Sequence, residues 1–208
     1  MRKTMLAGAA AGATMLGAAA IYYFREKATP GPHYRVLSSE GNLEIRAYPA
    51  IVVAETVVCG PRKAALNQGF GILAEYIFAK SRDGEALPMT VPVLQDGGDP
   101  MGSYPPVFND MVEGGWRMRF AMPEGRTRGD LPKPPQMIEL VEIPARRVGA
   151  VRFAGVADDH RLAEHEDRLR GWLSRQEESV ESEPEYAFYN SPMIPPPLRR
   201  SEVLIPLG

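Results

Sequence analysis

Apolar residues recur along this chain with two different periods. Leu66, Phe70, Leu73 and Ile77 are spaced by four, three and four residues, which predicts an amphipathic helix over residues 63–80. Leu162, His165, Leu169 and Leu173 share a face in the same way, with Trp172 alongside, and predict a second helix that Asp158 or Asp159 can cap. Between and around them lie β-branched or alternating runs at residues 43–58, 89–93, 116–120, 138–141, 148–153, 186–189 and 202–207, each reading as strand. The run at 116–120 has an apolar face of Trp116, Met118 and Phe120 and a basic face of Arg117 and Arg119. Gly69 and Gly71 fall inside the first helix, where each costs about 1 kcal/mol relative to Ala. Either that helix is poorly formed there or something approaches its backbone closely.

The order of elements repeats. Glu44, Pro49, Ala50 and Val53 return as Glu139, Pro144, Ala145 and Val148 at a single offset of 95 residues, with aliphatic residues at Leu43/Ile138 and Ile45/Leu140. A unit of this size is too long for a solenoid repeat. It predicts two half-domains, residues 34–123 and 136–208, that share one core and enclose a cleft. The expected fold class is α+β: an antiparallel sheet or distorted β-barrel built from two βαββ-type halves, with two packed helices. Residues 95–115 form a Gly/Pro-rich loop long enough to suggest a lid or contact surface. Residues 124–135 are an irregular connection between the halves.

The first 27 residues have a different character. Met1-Arg2-Lys3 precedes an uncharged run over residues 4–24, close to the roughly 20 residues that cross a bilayer as a helix. A signal peptide cut after Ala18-Ala19-Ala20 is one reading. An uncleaved anchor with Tyr22, Tyr23 and Phe24 at the interface is preferred, because the apolar run exceeds a signal-peptide core. The expected location is the cytoplasmic membrane of a bacterium with the domain on its outer, periplasmic face; cleavage would instead release it to the periplasm. Residues 28–33, with two prolines and a glycine, read as a stiff linker, and the domain proper as residues 34–208.

Charge and motifs then remove function classes. A formal net charge of −2 lacks the basic footprint of a nucleic-acid binder, so no nucleic-acid partner is expected. The lone Cys59 allows no internal disulfide and is expected to be a buried, inert thiol. No nucleophile elbow, zinc-protease motif or phosphate loop is present, so no catalytic residues are assigned and no enzyme is expected.

Several ordered segments carry a resemblance. These are Leu43-Glu44-Ile45-Arg46-Ala47-Tyr48, Pro88-Met89-Thr90-Val91-Pro92-Val93, Arg119-Phe120-Ala121-Met122-Pro123, Leu131-Pro132-Lys133-Pro134, Val151-Arg152-Phe153-Ala154-Gly155 and Arg199-Arg200-Ser201-Glu202-Val203. Together, across residues 34–208, the chain resembles the SOUL/haem-binding protein family. The resemblance implies a pseudo-two-fold α+β barrel that binds haem or another tetrapyrrole without covalent attachment. It also implies a ligand cleft between the first helix and the loop before the last strand. Its helix positions fall on Asn67 and Glu75 and its loop position on Ile194, none of them basic, and Ser201 replaces the family's usual Asn.

Haem asks for an apolar slot, cations for its propionates and optionally an axial donor. Phe70, Leu73, Met193 and Ile194 are candidate walls, Gly71 permits close approach, and Arg199 and Arg200 are candidate carboxylate partners. On their helical spacing Phe70 and Leu73 read first as core residues facing the sheet, and Arg199 and Arg200 also as solvated or paired with Glu202. No metal ligand is assigned; His165 is the weak axial candidate, since it alone among the three histidines looks inward. The function read from the chain is thus membrane-anchored, non-enzymatic tetrapyrrole binding for carriage, buffering or sensing. The alternatives are a general apolar small-molecule effector domain, and an envelope interaction module using the 95–115 loop with an unknown protein partner.

Overall fold

The computed structural model describes residues 29, 31–98, 115–191 and 193–208. Among these residues nine strands make one antiparallel sheet that curls into a half-barrel with two helices packed on one face, an α+β fold as expected. The strands are β1 (Arg35–Glu40), β2 (Leu43–Tyr48), β3 (Ile51–Cys59), β4 (Val93–Gly98), β5 (Gly115–Ala121), β6 (Glu139–Ile143), β7 (Arg146–Ala154), β8 (Glu185–Phe188) and β9 (Arg200–Leu207). The helices are α1 (Arg62–Ile77), between β3 and β4, and α2 (Asp159–Arg175), between β7 and β8.

The sheet order is β1-β2-β7-β9-β8-β4-β5-β3-β6. Exchanging β2 with β6, β3 with β7, β4 with β8 and β5 with β9 returns the same order, apart from the extra β1. The duplication is therefore a pseudo-two-fold axis passing between β4 and β8. Both bounds of β7 lie 95 residues beyond those of β3, and the registers agree: Val57 faces Arg117 as Arg152 faces Glu202, and Glu55 faces Arg119 as Ala150 faces Leu204.

Alternation along the strands gives the sheet two unlike faces. On one, Leu43, Ile45, Val151, Phe153, Val203, Ile205 and Leu207 meet Leu162, Leu169, Trp172 and Leu173 of α2. In the other half, Ala54, Met118, Phe120 and Leu140 meet Leu73, Tyr76 and Ile77 of α1. Each such side chain contributes roughly 1.5–3 kcal/mol when fully buried, so these two clusters dominate the stability. α2 begins where the Asp158 carboxylate accepts from the Arg161 N–H at 2.9 Å. Gly149 lets α2 approach β7, since a Cβ there would stand 2.7 Å from Leu173 Cδ1. α1 has no side-chain cap; Pro61 opens it, and at its far end the Arg82 guanidinium donates to the Tyr76 carbonyl at 3.0 Å. Gly69 lies buried on Met118 and Thr56 while Gly71 faces open space, so both glycines sit in an intact helix.

Some local expectations are corrected. Residues 89–92 are not strand, Val91 standing at a bend, and β4 starts at Val93. Residues 95–98 and 115, expected in the long loop, pair in the β4–β5 ladder; residues 99–114 lie outside the described residues. Cys59 is exposed at the end of β3, because strand alternation turns it outward after buried Val58. Of the 28–33 stretch, Gly31 packs on the Val91 carbonyl, where a Cβ would lie 2.5 Å from the oxygen. Among the described residues no helix is long and apolar enough to cross a membrane, and the 4–24 run lies outside them.

Candidate functional site

On the sheet face opposite the helices, alternation brings Glu44, Arg46 and Tyr48 of β2 beside Arg152 of β7 and Arg200 and Glu202 of β9. Glu202 is the hub and is fully buried. Its Oε2 accepts from Arg46 Nη1 at 2.7 Å and from the Tyr189 hydroxyl at 2.8 Å. Its Oε1 accepts from Arg46 Nη2 at 3.2 Å, Arg200 Nη2 at 2.7 Å and Arg152 Nε at 3.2 Å. Arg46 is equally buried and donates also to Glu44 at 2.7 Å and to the Tyr48 hydroxyl at 3.1 Å. Tyr34 covers the Arg46 guanidinium at 4.3 Å, and the Arg200 guanidinium lies over the Tyr189 ring at 3.9 Å.

Burial by itself would raise the Glu202 carboxyl, but hydrogen bonds and charge from Arg46 and Arg200 hold it down, at about 2. Burial opposes the charge on Arg46, and its bond to Glu202 more than compensates, so its pKa lies above the ordinary value. Burial raises the Tyr48 hydroxyl against the pull of Arg46, and raises that of Tyr189 strongly, with Glu202 adding to the effect. Both phenols therefore stay protonated at neutral pH. Three guanidiniums (Arg46, Arg152, Arg200) face two carboxylates (Glu44, Glu202), leaving one positive charge unmatched.

Above this cluster opens a cleft of about 430 Å³, walled by Tyr34, Tyr48, Tyr189, Pro32, Pro92 and Leu198, with Arg152 and Arg200 on its lining. The volume is in the range of small-molecule sites. A second cleft of about 420 Å³ lies across Gly31 and Pro32, toward Ile51, Met122 and Glu124. A separate ion cluster joins Glu55, Arg119, Glu185 and Arg146 on the same face of the sheet. Buried Leu94, Val148, Ala150, Ala187 and Leu204 form an apolar core with Tyr48 and Tyr189 on that face.

The residues expected at a site scatter. Arg200 lines the first cleft and pairs with Glu202; the other seven line neither cleft. Leu73 is fully buried under α1 and Ile194 is 2 % exposed, so both are core. Arg199 is tied to the Ile194 carbonyl at 2.6 Å. Asn67, Phe70 and Gly71 lie on the exposed side of α1, Phe70 touching Phe120 with ring centroids 5.4 Å apart, and Met193 is exposed. His165 does look inward, but toward the helix side: it is buried and stacked on Phe153 at 4.1 Å, across the sheet from the cleft that neighbouring Arg152 lines. Neither of its ring nitrogens has a hydrogen-bond partner among the described residues, and burial lowers its pKa. Among the described residues no cluster of three or more His, Cys, Asp or Glu could hold a metal.

Sequence reasoning missed Tyr34, Arg46, Tyr48, Arg152 and Tyr189. Arg46, Tyr48 and Arg152 stood inside segments used for the resemblance, and the alternation of Arg46 with buried Ile45 carried the signal. Their convergence needed the β2–β7–β9 pairing, which local pattern does not supply.

A sequence model described as SOUL heme-binding protein matches residues 29–206. No protein with a curated description matches the chain. Among solved structures, the C-terminal domain of EcmrR is similar at 15 % identity and TM-score 0.56, over 84 % of this chain and 98 % of that one. EcmrR in its complex with DNA gives 13 % and 0.59, over 99 % and 68 %. A protein described as a hydrolase from Listeria innocua gives 11 % and 0.54, over 83 % and 94 %. At these identities the likeness is one of fold.

Proposed function

Because the chain belongs to the SOUL heme-binding protein family, we propose that it binds haem or another tetrapyrrole non-covalently in the cleft above Glu202. One observation carries the placement: a slot walled by three tyrosines and two prolines has two guanidiniums on its lining and a net positive charge beneath it. A tetrapyrrole offers the complement, a flat apolar face and carboxylates at one edge. Arg152 and Arg200 would take the carboxylates, and Tyr34, Tyr48 and Tyr189 the ring face. Bound there, the group would supply its visible absorption and, as haem, a redox-active iron.

Among the described residues the lining holds no histidine, cysteine or methionine, and burial keeps the Tyr48 and Tyr189 phenols protonated, so these residues would grip the ring and its edge. The exposed side of α1, where the resemblance implied a site, offers Phe70 and an open Gly71 for an apolar ligand. The cleft is preferred because it adds the cations. A role in binding rather than catalysis agrees with the engagement of Glu44, Glu202, Arg46 and Arg200 in the hub's own ion pairs. Capture of bulky apolar cations is disfavoured, since Glu202, the one fully buried carboxylate there, is already neutralised by arginines.

We also propose that residues 4–24 tether the domain to a bacterial cytoplasmic membrane, on the hydrophobic length of that run. Recovery of the whole protein in the soluble fraction of its host would refute the tether. For ligand binding, titration of the purified protein with haemin should give a saturable Soret change at micromolar concentration, weakened in Arg200→Gln. A linear, unsaturable response would refute it.

A further inference from the structure

We infer that Arg152 makes the cleft selective for flat apolar ligands bearing a carboxylate, and against those bearing an ammonium group. The inference rests on the cleft proposed above as the binding site and adds the charge class it accepts and the residue that sets it.

Arg152 differs from its two companions. Arg46 is fully buried and holds both oxygens of Glu202, while Arg200 reaches Oε1 through two nitrogens, at 2.7 and 3.1 Å, and is stacked on Tyr189. Arg152 makes one long bond to Oε1 at 3.2 Å and stands 3.9 Å from Glu44, with 44 % of its side chain exposed. Were it to turn away, Glu202 would keep Arg46, Arg200 and the Tyr189 hydroxyl. The buried carboxylate would not be stranded, and a buried unpaired charge is the usual obstacle to recruiting a paired arginine. Arg152 is thus a cation in reserve, able to present its fork to an incoming carboxylate.

The duplication supports this reading. The register that places Arg152 opposite Glu202 places Val57 opposite Arg117 in the other half, so the sheet itself requires no arginine at this point. An ammonium ligand finds no free acceptor of charge: the two carboxylates of the hub are already engaged by guanidiniums. Tyr34 and Tyr48, with ring centroids 5.1 Å apart, supply the aromatic wall, and the Gly31–Pro32 segment closes one side.

Three fluorescent probes with one ring system test this: 1-pyrenebutyrate, 1-pyrenebutanol and 1-pyrenebutylamine, titrated against the protein at neutral pH. The expected order is carboxylate tightest and amine weakest, about tenfold apart, narrowing as salt is raised. Arg152→Gln should weaken the carboxylate about five- to tenfold and leave the alcohol unchanged, and Arg152→Lys should restore most of the loss. Equal or tighter binding of the amine, an unchanged carboxylate affinity in Arg152→Gln, or no saturable binding of the carboxylate would each overturn the inference. If haemin saturates the protein while the pyrene series shows no charge order, tetrapyrrole binding stands and this inference falls. If the carboxylate is selected while haemin does not saturate, the inference stands and the tetrapyrrole reading falls.

Discussion

Replacing Glu202 with Gln should destabilise the domain by about 3 kcal/mol at pH 7, and the whole of that loss should depend on pH. Two routes give the figure. The carboxyl falls from 4.5 to about 2 on folding, and at about 1.4 kcal/mol per pH unit this is about 3 kcal/mol of linkage. Independently, Arg46 has no exposure to water, and removing one partner of a buried pair costs about 3–5 kcal/mol. The sign follows from the direction of the shift. Because the folded-state pKa is depressed, the contribution is complete above pH 4.5 and is lost as pH falls toward about 2. Urea unfolding of both proteins from pH 7 to pH 2 measures this. With an m-value of about 2 kcal/mol/M, the midpoints should differ by about 1.5 M at pH 7 and converge at the acid end. Arg46→Met combined with Glu202→Leu should recover much of the loss, since it removes the charge together with its counter-charge. A difference below about 1 kcal/mol at pH 7, or one that persists unchanged to pH 2, would refute the account of Glu202 as a paired buried carboxylate.

Other outcomes follow from single contacts. Gly149→Ala should lower stability by about 1–3 kcal/mol, because Leu173 has no room to yield; an unchanged thermal midpoint would contradict this. His165 is held neutral by burial, with Glu164 favouring the charged form and Arg161 and Arg168 opposing it, so stability should fall as pH drops below 6.5. Between pH 7 and 5 the denaturation midpoint of His165→Leu should move less than that of the parent protein. Trp172→Phe removes the 2.7 Å bond from the indole N–H to Glu40, worth about 1.5–3 kcal/mol as a bond to a charged acceptor. Hydrogen exchange should then show β1 opening first; equal protection of β1 in both proteins would tell against the clamp.

The architecture was legible because duplication writes the same pattern twice. The β3 and β7 runs share their bounds at one offset, and both helices show an apolar stripe. Element ends were less visible. β1 has exposed Val36 and Leu37 and no clean alternation, so only its pairing with β2 makes it a strand. Leu73 could be read as core or as ligand wall until the α1 packing decided for core. The site was least legible. Arg200 and Glu202 are near neighbours in sequence and were readable as a pair, but Arg46 reaches Glu202 across 156 residues. A charged residue alternating with buried neighbours normally reads as a solvated face, and the sheet's curl with the Tyr34 cover turned that face inward.

The sheet order has a further meaning. β2 belongs to the first half yet pairs with β7 of the second, while β6 of the second pairs with β3 of the first. Each half lends one strand, β2 or β6, to the other, so the domain is a swapped dimer written on one chain. Neither half owns a complete sheet, and neither should survive alone as a folded monomer. A cut in the 124–135 connection would part the two copies covalently while leaving their exchanged strands to hold them. Two separately made fragments should then find each other and complete one fold.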